Sequence, residues 1–118
     1  MNTTITFRHM ESTDAIREKV DSHMGQLAKL IQEPCKVHVI LSVEKFRHKT
    51  EIIVTENHFT AQAFDVEGDL YSSIDACVHK VMAQLKKHKE KIKEHHKHHQ
   101  SVGATAAMAE ALYVATES

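Results

Sequence analysis

Two segments in the middle of this chain, KVHVILSVEKF (36–46) and FTAQAFDVE (59–67), alternate apolar and polar side chains, and TEIIVTE (50–56) lies between them. Val37, Val39, Leu41 and Val43 share one side of the first, and Phe59, Ala61 and Ala63 share one side of the last. A period of two means half-buried strands. The connections, RHK (47–49) and NH (57–58), are so short that consecutive strands must run antiparallel. Asn57 suits a tight hairpin turn, with His58 where glycine is usual. A three-stranded meander of this kind has one apolar face, and the rest of the chain must cover it.

The flanks supply the cover. TTITFR (3–8) alternates Ile5 and Phe7 against polar neighbours as a further strand. Ser12 or Thr13 can then cap a helix, with Asp14 in its first turn and Pro34 ending it near Gln32. Ile16, Val20, Leu27, Leu30 and Ile31 give that helix one apolar face. Gly68 and Asp69 open a second helix, whose stripe is Leu70, Ile74, Val78, Val81, Leu85 and Ile92, with Cys77 at its edge. The order is β-α-β-β-β-α. A right-handed crossover makes the first strand pair parallel, so the sheet is mixed and four-stranded with both helices on one face. This is an α+β two-layer sandwich. At 118 residues the chain holds one modest core, and with 5% aromatic residues that core is aliphatic.

Charge is distributed unevenly. The net charge is −1, yet residues 50–78 hold six acids and no Lys or Arg. Lys45, Arg47 and Lys49 cluster in the loop after the second strand, and residues 79–99 hold seven lysines against Glu90 and Glu94. At 100° per residue Lys80, Lys87 and Lys91 fall within about 40° of one another on one flank of the last helix. Lys86, Lys93 and Lys97 form a second row nearer the solvent pole. Three ammonium groups along roughly 16 Å of helix can meet successive phosphates of a nucleic acid without reading bases. The plain alternative is a solvated, dipole-stabilising helix end.

The histidines allow a different chemistry. In HKEKIKEHHKHH (88–99), His95 and His99 form an i,i+4 pair able to hold zinc, nickel or cobalt, with no Cys or clustered carboxylate to close the site. That keeps a metal-responsive, His-rich binding module as an alternative. An enzyme is not expected: there are three glycines and no phosphate-cradling loop, and Cys77 reads as a structural thiol. No apolar run of membrane-spanning length and no signal segment is visible, and Cys35 and Cys77 read as reduced thiols. A cytoplasmic protein with no membrane partner is the expectation. No cofactor is implied.

GDLYSSIDACVHKVMAQLKKHKEKIK (68–93) resembles the signature of the short ribosome hibernation promoting factors, related to ribosome-associated inhibitor A. The matching positions are Asp69, Leu70, Tyr71, Ser72, Ser73, Ile74, Asp75, Lys80, Gln84, Leu85, Lys87 and Lys89. TDAIREKVDSHMGQLAKL and VHVILSVEKFRHKTEIIV upstream are similar too, so the likeness covers residues 3–96. The resemblance implies a fold similar to double-stranded-RNA-binding domains. It also implies binding to the small ribosomal subunit and its rRNA in the mRNA and tRNA channel, with translation blocked in stationary phase. By motif position Lys80, Lys87, Lys89 and Lys91 would meet rRNA phosphates, with Lys86 beside them and Lys45, Arg47 and Lys49 in the loop. Members either promote or oppose ribosome pairing. LSVEKFRHKTEI and QLKKHKEKIK look closer to the promoting type, whereas a tail beyond His99 is a feature of inhibitor-A relatives. Residues 1–99 are expected to form the ribosome-binding domain, 100–118 a flexible tail, and the free chain a monomer.

Overall fold

Residues 36–67 form the meander that their alternation predicts. In the computed structural model, which describes residues 1–92, β2 (Lys36–Glu44), β3 (Arg47–Thr55) and β4 (Thr60–Glu67) are antiparallel neighbours. β1 (Asn2–Arg8) lies parallel to β2, so the sheet order is β1-β2-β3-β4. Helix α1 (Asp14–Ala28) makes the crossover, and a second helix, α2, begins at Leu70 and runs through residue 92. The β-α-β-β-β-α sandwich expected from the sequence is the observed fold.

One sheet face carries the core. Val37, Val39 and Leu41 of β2, Ile52 and Val54 of β3, and Ala61 and Ala63 of β4 are buried. Against them pack Ile16, Val20, Met24 and Leu27 of α1 and Leu70, Ile74, Cys77, Val78, Val81 and Leu85 of α2. Each fully buried Leu or Ile here contributes about 1.5–3 kcal/mol relative to exposure. Thr50 and Ser73 bring hydroxyls into this layer and satisfy each other at 2.7 Å, while Ser73 also donates to the Leu70 carbonyl at 2.8 Å. That pair fixes the first turn of α2 beside the start of β3.

The helices are also tied to each other. Asp75 on α2 accepts from Lys19 at 3.0 Å and lies 2.8 Å from His23 Nε2, both on α1. The Lys19 hydrogen bond holds the Asp75 carboxyl below its usual range, with His23 adding to it against slight burial. Thr13 is the α1 N-cap, its hydroxyl accepting the Ile16 N–H at 3.2 Å; Ser12 instead accepts from Arg17 Nε.

Several expectations are corrected. α1 ends at Ala28 rather than near Gln32, because Leu30 N–H turns back to the Leu27 carbonyl at 2.9 Å and the chain must return to start β2. Leu30 and Ile31 still pack on the core, from the connection. RHK is strand rather than turn: Arg47 pairs with Glu44, leaving Lys45 and Phe46 as a two-residue turn. The left-handed residue of the meander is Lys45, φ 56°, not Asn57, which lies in a four-residue loop closed by Glu56 N–H on the Phe59 carbonyl. Val43 is half-buried beside the hairpin, and Cys77 lies wholly inside the core rather than at its edge. Ile92 is 40% exposed, because α2 overhangs the end of the sheet there.

Candidate nucleic-acid interface

Asp69 starts α2. Its carboxylate accepts the Ser72 N–H at 2.8 Å and the Ser72 hydroxyl at 2.7 Å, and these bonds, the hydroxyl first, lower its pKa. From this cap the helix runs antiparallel to β4, along the free edge of the sheet. Three side chains at i, i+4 and i+8 meet that edge in order. The Lys80 ammonium donates to the Phe64 carbonyl at 3.0 Å; Gln84 donates to the Gln62 carbonyl at 2.8 Å and accepts its N–H at 3.1 Å; His88 stacks on Phe59 at 3.7 Å. Four helical residues advance about 6 Å and two strand residues about 6.8 Å, so the two ladders stay in step. The edge groups of β4 are thereby covered, which removes a template for strand addition.

Lys80 is thus engaged within the fold, in contrast to the expectation of a cation turned wholly to a ligand. Its ammonium lies 2.9 Å from Asp65 Oδ1 on β4, although half of the side chain remains exposed. Burial opposes ionisation of Asp65, but the Lys80 contact, helped by Glu67, brings its pKa below the usual carboxylate value. Glu67 moves the other way, raised by its hydrogen bond to Asp65.

Lys86, Lys87, Lys89 and Lys91 are all exposed, Lys86 and Lys87 alongside the end of the sheet and Lys89 and Lys91 past the Phe59–His88 stack. Lys87 and Lys91 continue the flank of Lys80, whereas Lys89 is rotated about 160° from Lys91 and faces the opposite flank. These four cations spread over about 200° of the helix surface, the arc away from the apolar stripe, rather than line one face. Glu90 is the one acid among residues 79–92, so the local charge is strongly positive.

Lys45, Arg47 and Lys49 lie elsewhere. Their hairpin is at the α2 N-terminal end, placed there by the Thr50–Ser73 bond, whereas the Phe59–His88 stack marks the other end. The fifteen residues from Ser73 to His88 span about 22 Å. Lys49 also points to the sheet face opposite the helices, where its ammonium sits 4.9 Å from the centre of the Phe64 ring. Phe64 is the link between the regions, with Lys49 over its ring and Lys80 on its carbonyl.

His95 and His99 lie outside the described residues, as do Lys93, Lys97 and the segment 100–118. Among the described residues no group of three or more metal-ligating side chains comes together. Cys77 donates to the Ala63 carbonyl at 3.3 Å, and burial pushes its thiol up to about 12. No helix among the described residues is long and apolar enough to cross a membrane. Sequence reasoning missed the structural work of Gln84. Its position at the margin of the inward stripe was the available signal, and in the fold it is buried.

Comparison with known proteins agrees with this architecture. Residues 3–93 match the family described as Sigma 54 modulation protein / S30EA ribosomal protein. The chain is 34% identical over 95 residues to the ribosome hibernation promoting factor of Escherichia coli strain K12, covering 80% of this chain and all of that one. It is 32% identical over 91 residues to the Azotobacter vinelandii factor of the same name, covering 77% and 85%. Among solved structures, the N-terminal domain of Thermus thermophilus Protein Y superposes with a TM-score of 0.68 at 28% identity, covering 74% of this chain and 98% of that one. The chain therefore belongs to the Sigma 54 modulation protein / S30EA ribosomal protein family.

Proposed function

We propose that this protein is a ribosome hibernation factor. It binds the small ribosomal subunit through rRNA, occupies space that mRNA and tRNA require, and so halts translation in stationary phase. The observation that carries this reading is the set of exposed Lys86, Lys87, Lys89 and Lys91 in the last turns of the described part of α2, on a chain whose relatives bear the hibernation name. Folded RNA is recognised by shape and backbone, and lysine is a flexible point charge suited to phosphates. No bond is made or broken; the mechanism is exclusion by a folded domain, held mainly by charge.

Lys80 has a split role. Its ammonium stabilises the edge of β4, and its exposed half adds to the potential felt by a phosphate. Lys45, Arg47 and Lys49 form a second, separate contact. The promoting type of ribosome pairing is favoured by the likeness to the named promoting factors. Sucrose-gradient profiles of ribosomes from cells with and without the protein test this. Paired ribosomes lost on deletion support promotion; pairs gained on deletion support the opposing type. Co-sedimentation with purified small subunits tests the binding itself.

A further inference from the structure

The β2–β3 hairpin carries a feature that the fold does not need. Phe46 is 89% exposed at its tip and buries almost nothing. Its turn partner Lys45 holds φ 56°, a conformation that glycine or asparagine adopts with less strain. A two-residue hairpin ordinarily uses Asn-Gly or a similar pair; Lys-Phe satisfies neither backbone strain nor burial. Departures of this kind point to what the site contacts.

Around Phe46 the surroundings are cationic. Lys45, Arg47 and Lys49 are exposed, and with Ser42, Glu44 and Val66 they line a concavity of about 460 Å³. Glu44 is its one acid. On the same open sheet face Phe64 is 54% exposed beneath the Lys49 ammonium, a second aromatic surface some residues further along β3's partner. An aromatic tip beside several cations matches single-stranded nucleic acid, where a base face is free to stack and the phosphates follow a positive groove. A paired helix would not serve, because its base faces are already stacked.

We propose that this hairpin is a base-stacking finger: Phe46 stacks on an unpaired nucleobase of a single-stranded RNA segment while Arg47 and Lys49 hold its flanking phosphates. The finger deepens the RNA-binding reading above but is a different contact from the α2 lysines, some 22 Å away along the helix axis.

The test titrates the full chain with a single-stranded octaribonucleotide carrying 2-aminopurine, whose fluorescence is quenched on stacking. Wild type should bind and quench. Phe46→Ala should weaken binding about 5- to 50-fold and abolish the quenching, whereas Phe46→Trp should retain both. Arg47→Ala with Lys49→Ala should reduce the slope of log K against log salt by about 1.4, and Phe46→Ala should leave that slope unchanged. Absence of quenching by wild type, or equal binding by Phe46→Ala, overturns the proposal. Loss of small-subunit binding by Phe46→Ala with unchanged oligonucleotide binding also overturns it and assigns the finger to a protein partner. Quenching that depends on Phe46 in a chain that fails to co-sediment with ribosomes would sink the ribosome reading and leave the finger standing.

Discussion

The ammonium of Lys80 on helix α2 sits 2.9 Å from Asp65 Oδ1 on β4, so the most N-terminal lysine of the basic helix holds the sheet edge before it can meet any ligand. Asp65 is nearly buried while Lys80 is half exposed. Removing the lysine strands a carboxylate; removing both partners does not.

Lys80→Met should therefore destabilise the protein by about 1–2 kcal/mol, and Asp65→Asn should cost less. In a double-mutant cycle by urea denaturation, a coupling of about 1 kcal/mol is expected. A coupling near zero would show the contact to be energetically idle.

Gln84→Ala removes both bonds to the Gln62 backbone and uncovers the β4 edge, with an expected cost of about 1–3 kcal/mol. Hydrogen exchange at the Gln62 amide should accelerate well beyond that of β2 amides. An unchanged Gln62 exchange rate would contradict the edge-sealing role.

Acid should loosen the cap of α2 and the contact between the helices. Asp69, held by Ser72, and Asp75, held by Lys19 and His23, both have folded-state pKa values below the ordinary one. Such groups stabilise the fold above their unfolded value of about 3.9, and the contribution is lost as pH falls through the folded value. The urea midpoint should be flat near neutrality and drop below about pH 4. Asp75→Asn should lower the plateau and flatten the drop; an unchanged profile would place the acid sensitivity elsewhere.

Both described cysteines should resist thiol reagents in the folded protein. Cys77 is enclosed and pushed up to about 12 by burial, and Cys35 is buried and raised mainly by desolvation. Labelling by a disulfide reagent at pH 8 should follow opening of the fold and accelerate with urea. Rapid labelling of Cys77 in native buffer would contradict its burial.

Most of the architecture was legible because it follows from periodicity. Val37, Val39 and Leu41 could share a core only in a strand, and Ile74, Val78, Val81 and Leu85 only on a helix. The turns were less so: RHK looks like a loop by polarity, yet pairing with Glu44 takes Arg47 into β3. The exposed lysines of α2 could be read from the wheel, but the fate of Lys80 could not. Its partner is fifteen residues away on another element, and nothing in the sequence singles Asp65 out among the six acids of residues 50–78 until the sheet turns it inward. The separation of the hairpin cations from the helix-end lysines depends likewise on tertiary placement, fixed by Thr50 with Ser73 and Phe59 with His88.

The most direct measurement is co-sedimentation of the protein with purified small ribosomal subunits across a salt series, for wild type and for Lys87→Glu with Lys91→Glu. Binding should be present at low salt, fall linearly in log K against log salt, and weaken at least about tenfold with a shallower slope in the charge-reversed variant. Binding that ignores both salt and charge reversal would contradict an interface built on the α2 lysines.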